Sequence, residues 1–180
     1  MVASIMHETL AFLTFGALLA LLPGCFLFER EFPDLSDDCR ANSFSGSETA
    51  AKRNVALGER LDVDFQPYRP DGQAELVIGG QGATMITPAL SIDAAPDDPW
   101  AQCASVELTT FGSSMPGSTR IQQIFTLFMS NGHLLSTETF QDQLDRSYSP
   151  GDDLTLTVQV RAANFTATQT ITVQGTFPSK

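Results

Sequence analysis

The chain predicts an all-β domain: an antiparallel two-sheet sandwich of about 7–8 short strands. Three observations carry this prediction. Hydrophobicity alternates with period two along several short runs, turn residues separate those runs, and no stretch of the body sustains a helical period of ordinary length.

Leu61, Val63 and Phe65 alternate with Asp62 and Asp64, which reads as the first half-buried strand. Pro70-Asp71-Gly72 is a turn signal, and Leu76 and Ile78 then flank an outward Val77. A third run passes through Ile86, Leu90 and Ile92, interrupted by Pro88, which implies an edge or a bulge. Val106 and Leu108 around Glu107 form the next strand, followed by a loop over Gly112 to Thr119. Ile121 to Met129 and His133 to Phe140 are strand-like runs joined through Ser130-Asn131-Gly132. Asn-Gly takes the positive φ values that a type I′ hairpin needs. Ile124, Phe125, Leu127 and Phe128 make the first of these strands apolar on both faces, as expected of a central strand. Leu154, Leu156, Val158 and Val160 alternate with Thr155, Thr157, Gln159 and Arg161, and Ile171 and Val173 repeat the pattern. Runs of this kind favour an immunoglobulin-like sandwich, with a closed barrel as the other arrangement. The Cys…Trp…Cys spacing of antibody domains is missing, because Trp100 precedes Cys103 by three residues.

Upstream of this body lies a segment of different character. Leu10 to Leu22 is an apolar run of about 13 residues, short of the roughly 20 that a spanning helix needs but suited to a signal-peptide core. Leu22-Pro23-Gly24-Cys25 closes it and resembles a bacterial lipobox, in which the cysteine sulfur takes a diacylglycerol and becomes the first residue of the mature chain. The resemblance implies residues 1–24 as a lipoprotein signal peptide and Cys25 as the lipid attachment site. Met1 to Thr9 departs from the pattern by containing neither Lys nor Arg. An ordinary cleaved signal and an uncleaved anchor are the rival readings. Two acyl chains hold a protein durably where one holds it marginally, so the expected partner is a membrane, reached through the lipid at Cys25. Phe26 is not the aspartate that retains such proteins at the inner membrane, which implies the cell envelope and its outer membrane as the destination.

Residues 25–57 are small and polar, and read as the acylated N-terminus and a flexible spacer, with room for one short helix over Glu48 to Val55. The sandwich domain is expected over 58–180. Acidic residues outnumber basic ones 21 to 10, giving a net charge of −11, which disfavours nucleic acid as a partner. Cys39 and Cys103 are a disulfide candidate in an oxidising compartment, closing a loop of about 64 residues. No Cys/His spacing for zinc is present.

The segments Phe65-Gln66-Pro67-Tyr68-Arg69-Pro70-Asp71-Gly72 and Leu76-Val77-Ile78-Gly79-Gly80-Gln81-Gly82, set between a lipobox and closing Thr/Val strands, resemble uncharacterised Ig-like bacterial lipoproteins with a Gly-x-Gln-Gly element. Gly80 stands where those carry proline, Ala83 stands where they carry a further glycine, and no histidine follows. That resemblance implies fold and location and carries no activity.

Chemistry is sparse. Gly79 to Gly82 lacks the Lys-Ser/Thr of a phosphate-binding loop and reads as a turn between strands. His133, the only histidine of the body, follows the hairpin turn and reads as a solvated strand residue, and Ser113 and Ser114 do not fit Gly-x-Ser-x-Gly. No catalytic residue is assigned and the chain is read as a non-enzyme. Asp93, Asp97 and Asp98 form one acidic loop, and Asp142, Asp145, Asp152 and Asp153 another; the former are calcium candidates, since Ca²⁺ accepts oxygen ligands at flexible spacing. No other cofactor is expected. The leading expectation is a non-enzymatic envelope module that binds a protein or glycan partner or acts structurally. A calcium-dependent adhesion domain and an envelope hydrolase are the alternatives.

Overall fold

The computed structural model describes Cys39 and residues 50–61 and 64–178, all within a unit spanning Asp34–Lys180. Cys25, the signal segment 1–24, most of the spacer, and Asp62 and Val63 lie outside the described residues.

Period-two burial runs through the longer strands. Leu154, Leu156, Val158, Val160 and Ala162 are buried while the residues between them face out, and Ala104, Val106 and Leu108 repeat the pattern. The chain is all-β, with twelve strands among the described residues: β1 (Ala51–Arg53), β2 (Val55–Leu61), β3 (Asp64–Pro67), β4 (Gly72–Ile78), β5 (Thr84–Ile86), β6 (Ala89–Asp93), β7 (Ala101–Gly112), β8 (Ser118–Ser130), β9 (His133–Ser136), β10 (Asp142–Gln143), β11 (Asp153–Ala162) and β12 (Phe165–Thr176). They form one open sheet in the order β10-β5-β4-β12-β11-β7-β8-β9-β6-β2-β3, with β1 joined to β12 off this path. Most pairs are antiparallel; β12 pairs in parallel with both β1 and β4.

The sheet curls so that strands distant in this order meet: β2 approaches β12 and β4, and β10 approaches β8. Leu57 N donates to Gln169 Oε1 across that approach at 2.8 Å. The enclosed core gathers Leu57, Leu90, Leu127 and Leu134 from one end of the order with Leu76, Ile86, Leu156 and Val173 from the other. Each such side chain contributes about 1.5–3 kcal/mol on full burial. Phe125 and Phe140 meet edge to face within it, their ring centroids 4.8 Å apart.

Several expectations change. The run through Leu61, Val63 and Phe65 is not one strand: β2 and β3 form an antiparallel pair with Leu61 opposite Asp64, at a place with no glycine or proline to signal a turn. The Ile86 to Ile92 run divides at Pro88 into β5 and β6, which enter opposite ends of the sheet. Proline cannot donate to a ladder, and here its carbonyl accepts from Phe140 N at 2.9 Å. The sheet begins at Ala51, not near Gly58, and strands occupy Ala51–Arg53 and Val55–Leu61 where a short helix was expected. Arg53 is half-buried and its two strand neighbours are exposed, so β1 carries no alternation and is defined by its pairing with Phe165, Thr166 and Ala167. Twelve strands replace the expected 7–8 because β1, β3, β5 and β10 are too short to show a period. The Asn131-Gly132 hairpin stands as expected, with φ values of 49° and 80° and Ser130 opposite His133.

Candidate functional site

A groove lies across the face of the β3-β2-β6-β9-β8 region that points away from the core. Its position follows from register. Val55, Ile92, Leu134 and Met129 form a cross-strand row directed inward, so the next row, Ala56, Ser91, Leu135 and Phe128, is directed outward. Small side chains on β2 and β6 leave that surface low. Phe65 and Pro67 of β3 rise beside it, because Gly58 has no side chain to hold them off: a β-carbon there would sit 2.7 Å from Phe65 Cζ. The cavity, about 470 Å³, is lined by Ala56, Ser91 and Leu135 along the outward row and by Phe65 and Pro67 of β3, with Asn54, Asp93 and His133 as its polar end; Asp64, also at its margin, stands opposite Leu61 toward the other end of β2.

At that polar end Asp93 Oδ2 accepts from Asn54 Nδ2 at 2.8 Å, and Asp93 Oδ1 lies 3.5 Å from His133 Nδ1. The row Asn54, Asp93, His133 and Ser130 follows from the same register, one step beyond the row of Ala56. Among the described residues no hydroxyl is hydrogen-bonded to this imidazole, so the histidine and carboxylate form a pair without a nucleophile attached. A second depression, about 530 Å³, is lined by Ile121, Gln123, Thr137, Glu138, Thr139 and Gln141, and there the polar groups engage each other, with Gln123 Nε2 3.2 Å from Glu138 Oε2.

The calcium candidates do not converge. Asp98 is sealed from solvent and paired with Arg53, and it also accepts from Asn164 Nδ2 at 3.0 Å and Ala95 N at 2.8 Å. The Arg53 hydrogen bond is the main reason that its carboxyl is held below the usual value. Asp97 is exposed in the turn between Ala95 and Asp98, and Asp93 faces the groove. The second acidic set is also dispersed: Asp142 is buried in the core, and Asp145 caps Ser147 N at 2.8 Å. Among the described residues no three His, Cys, Asp or Glu side chains come together as a metal site.

Cys39 and Cys103 form a disulfide with Cα atoms 5.4 Å apart, and Cys39 Sγ lies 3.8 Å from Thr126 Oγ1. Cys103 is opposite Thr126 in the β7–β8 pair, on the side away from the core residue Ala104. Gly79 to Gly82 forms a turn between β4 and β5, closed by Gly82 N to Gly79 O at 2.9 Å and Gly79 N to Ala83 O at 2.8 Å, with Gly82 at φ 77°. Ser113 and Ser114 belong to the β7–β8 loop, where Ser147 Oγ donates to Ser114 O at 3.2 Å. Sequence reading passed over the groove itself. Its one visible trace was Phe65 and Pro67 as bulky residues beside acidic ones, and nothing local reveals that Ser91 and Leu135 share a face with them. No family model matches this chain, and neither a curated protein nor a solved structure is similar to it.

Proposed function

We propose that this chain is an envelope lipoprotein, acylated at Cys25 and held at the outer membrane, whose folded part is a non-enzymatic binding module. The Cys39–Cys103 bridge is the observation that carries this reading. Such cross-links persist in oxidising compartments and are rare where thiols are kept reduced, which supports export. The bridge also fastens the segment leading from Cys25 to the middle of the sheet, as a tethered module requires.

We read the fold as an immunoglobulin-like two-layer sandwich, in which β10, β5, β4, β12, β11 and β7 build one layer and β8, β9, β6, β2 and β3 the other. The approach of β2 to β12 and of β10 to β8 supports two layers facing each other. The groove on the outer side of the second layer is the binding surface in this reading.

Mass spectrometry of the native product tests the anchor. The expected N-terminus is Cys25 bearing a diacylglycerol, and a Cys25→Ser chain is expected in the soluble fraction. An unmodified Cys25 in a chain that still starts at Met1 would overturn the placement. Crosslinking in intact cells, with the Asn131 side of the groove as the attachment point, then identifies what the module holds.

A further inference from the structure

The connection from β9 to β11, residues 137–152, bridges the curl of the sheet, where β10 pairs with β5 and approaches β8. Phe140, Leu144 and Tyr148 of this strap are buried, and Phe140 N and Leu144 N donate to Pro88 O and Thr84 O, each at 2.9 Å. Apolar packing of this kind needs no charge, yet the strap carries Asp142, 1 % exposed, into the same interior. We propose that Asp142 is a proton-operated latch: with its carboxyl neutral the strap stays closed against β5 and β8, and ionisation frees residues 140–144 from the sheet without unfolding the rest.

The geometry favours the neutral acid. Thr119 Oγ1 donates to Asp142 Oδ2 at 2.9 Å, and that is its one completed side-chain hydrogen bond among the described residues. Thr110 Oγ1, fully buried on β7, faces the same carboxyl and completes no hydrogen bond. A carboxylate only accepts, whereas a carboxylic acid also has an O–H to donate, so a proton on Asp142 gives Thr110 Oγ1 the donor it lacks. No charged group is placed to balance the ionised form. β5 presents Thr84, Met85 and Ile86, and Arg120, next to Thr119 on β8, is exposed and pairs with Glu107 of β7. Within the strap, Glu138 is exposed and meets Gln123, Asp145 is exposed and bonded to Ser147, and Tyr148 Oη donates to Asp152 O at 2.9 Å. A buried charge with so few donors is costly, and taking up a proton removes that cost. Burial accordingly holds the carboxyl above its ordinary 3.8. The closed strap binds the proton more tightly than an opened one, so closure is complete at low pH and weakens as pH rises from 3.8 through the closed-state value.

Native-state hydrogen exchange of the full chain, its disulfide intact, tests this, because the amides of Phe140 and Leu144 report the strap while that of Val158, in the middle of β11, reports the sheet. With each rate divided by the intrinsic rate at that pH, Phe140 and Leu144 are expected to be protected at least about tenfold less than Val158, as opening without global unfolding requires. Their protection is expected to fall about tenfold between pH 4 and pH 7, which corresponds to a tenfold difference in proton affinity between the closed and the open strap. Asp142→Asn, whose amide can donate to Thr110 Oγ1 at every pH, is expected to keep the strap protection level across that range. The carboxyl carbon shift of Asp142 in the parent chain is expected to titrate with a midpoint above 3.8, a readout that needs no variant. Strap protection that does not change with pH overturns the proposal, as does a midpoint at or below 3.8. Equal protection of Leu144 and Val158 at every pH overturns it as well, since the strap would then be lost only when the whole sheet unfolds. If Asp142→Asn keeps the pH dependence of the parent, another group is responsible and the latch is wrong. None of these outcomes depends on acylation of Cys25 or on what the groove binds.

Discussion

Among the described residues, Asp142 is the carboxyl whose environment is least favourable to charge. It is 1 % exposed, Thr119 Oγ1 donates to it at 2.9 Å, and the Thr110 hydroxyl faces it without completing a hydrogen bond. Burial is the main cause that raises its pKa above the ordinary 3.8, and the two hydroxyls offset only part of this. A raised value means that the folded state binds the proton more tightly than the unfolded chain. Its contribution is therefore favourable at low pH and declines as pH rises from 3.8 through the folded value. Asp142→Asn is expected to stabilise the domain at neutral pH by about 1 kcal/mol, since the amide needs no proton and can donate to Thr110. Urea unfolding at pH 7 checks this, and the gain is expected to shrink at pH 4. Asp98 has the opposite sign. Its value is lowered by Arg53, so its contribution is complete above 3.8 and disappears as pH falls through the lower folded value. Arg53 also stacks over Phe165, with its guanidinium carbon 4.4 Å from the ring centroid. Removing the arginine strands a sealed carboxylate: Arg53→Ala is expected to cost about 3 kcal/mol in the same assay, and much less in an Asp98→Asn background.

Elements show where local chemistry decides and where it does not. The β8–β9 hairpin is local: Asn131 and Gly132 both have positive φ, so Gly132→Ala is expected to destabilise by about 1 kcal/mol, read from the thermal midpoint. Gly58 is the opposite case. Its own backbone demands nothing unusual, yet Phe65 and Gln66 of the neighbouring strand occupy the space that a side chain would take. Gly58→Ala is expected to cost about 2 kcal/mol through overpacking and to displace Phe65 from the groove wall, which the Ala56 and Ser91 amide shifts would report. The hairpin was legible because both of its turn residues lie together in the chain. The groove was not, since its wall, floor and polar end come from β3, β2, β6 and β9, and their alignment depends on pairings such as Ala56 with Ser91 and Ser91 with Leu135. The acidic loop misled for a related reason. Asp93, Asp97 and Asp98 are near neighbours in sequence, but Arg53, Asn54 and Asn164 draw two of them apart.

At the scale of the whole molecule the disulfide joins Cys39 to Cys103 across 64 residues of sequence. Breaking it frees the unfolded chain from that closure, worth about 4 kcal/mol in the chain-entropy model. Cys103→Ser and Cys39→Ser are each expected to lower the urea-unfolding free energy by about that amount, and reduction of the parent chain is expected to reproduce the loss. The all-β character, the strong strands β7, β8, β11 and β12, and the turn at Asn131-Gly132 follow from the sequence by itself, because alternation and turn chemistry act between residues that are adjacent or two apart. Tertiary structure alone decided the rest: β12 accepting β1 and β4 in parallel on one edge, the chain crossing between ends of the sheet at Pro88, and the juxtaposition of Phe65, Ser91 and Asp93 around one groove. Such features arise when a curling sheet brings distant strands into register, and the energy that selects that register is spread over a core to which no single segment contributes enough to be read in advance.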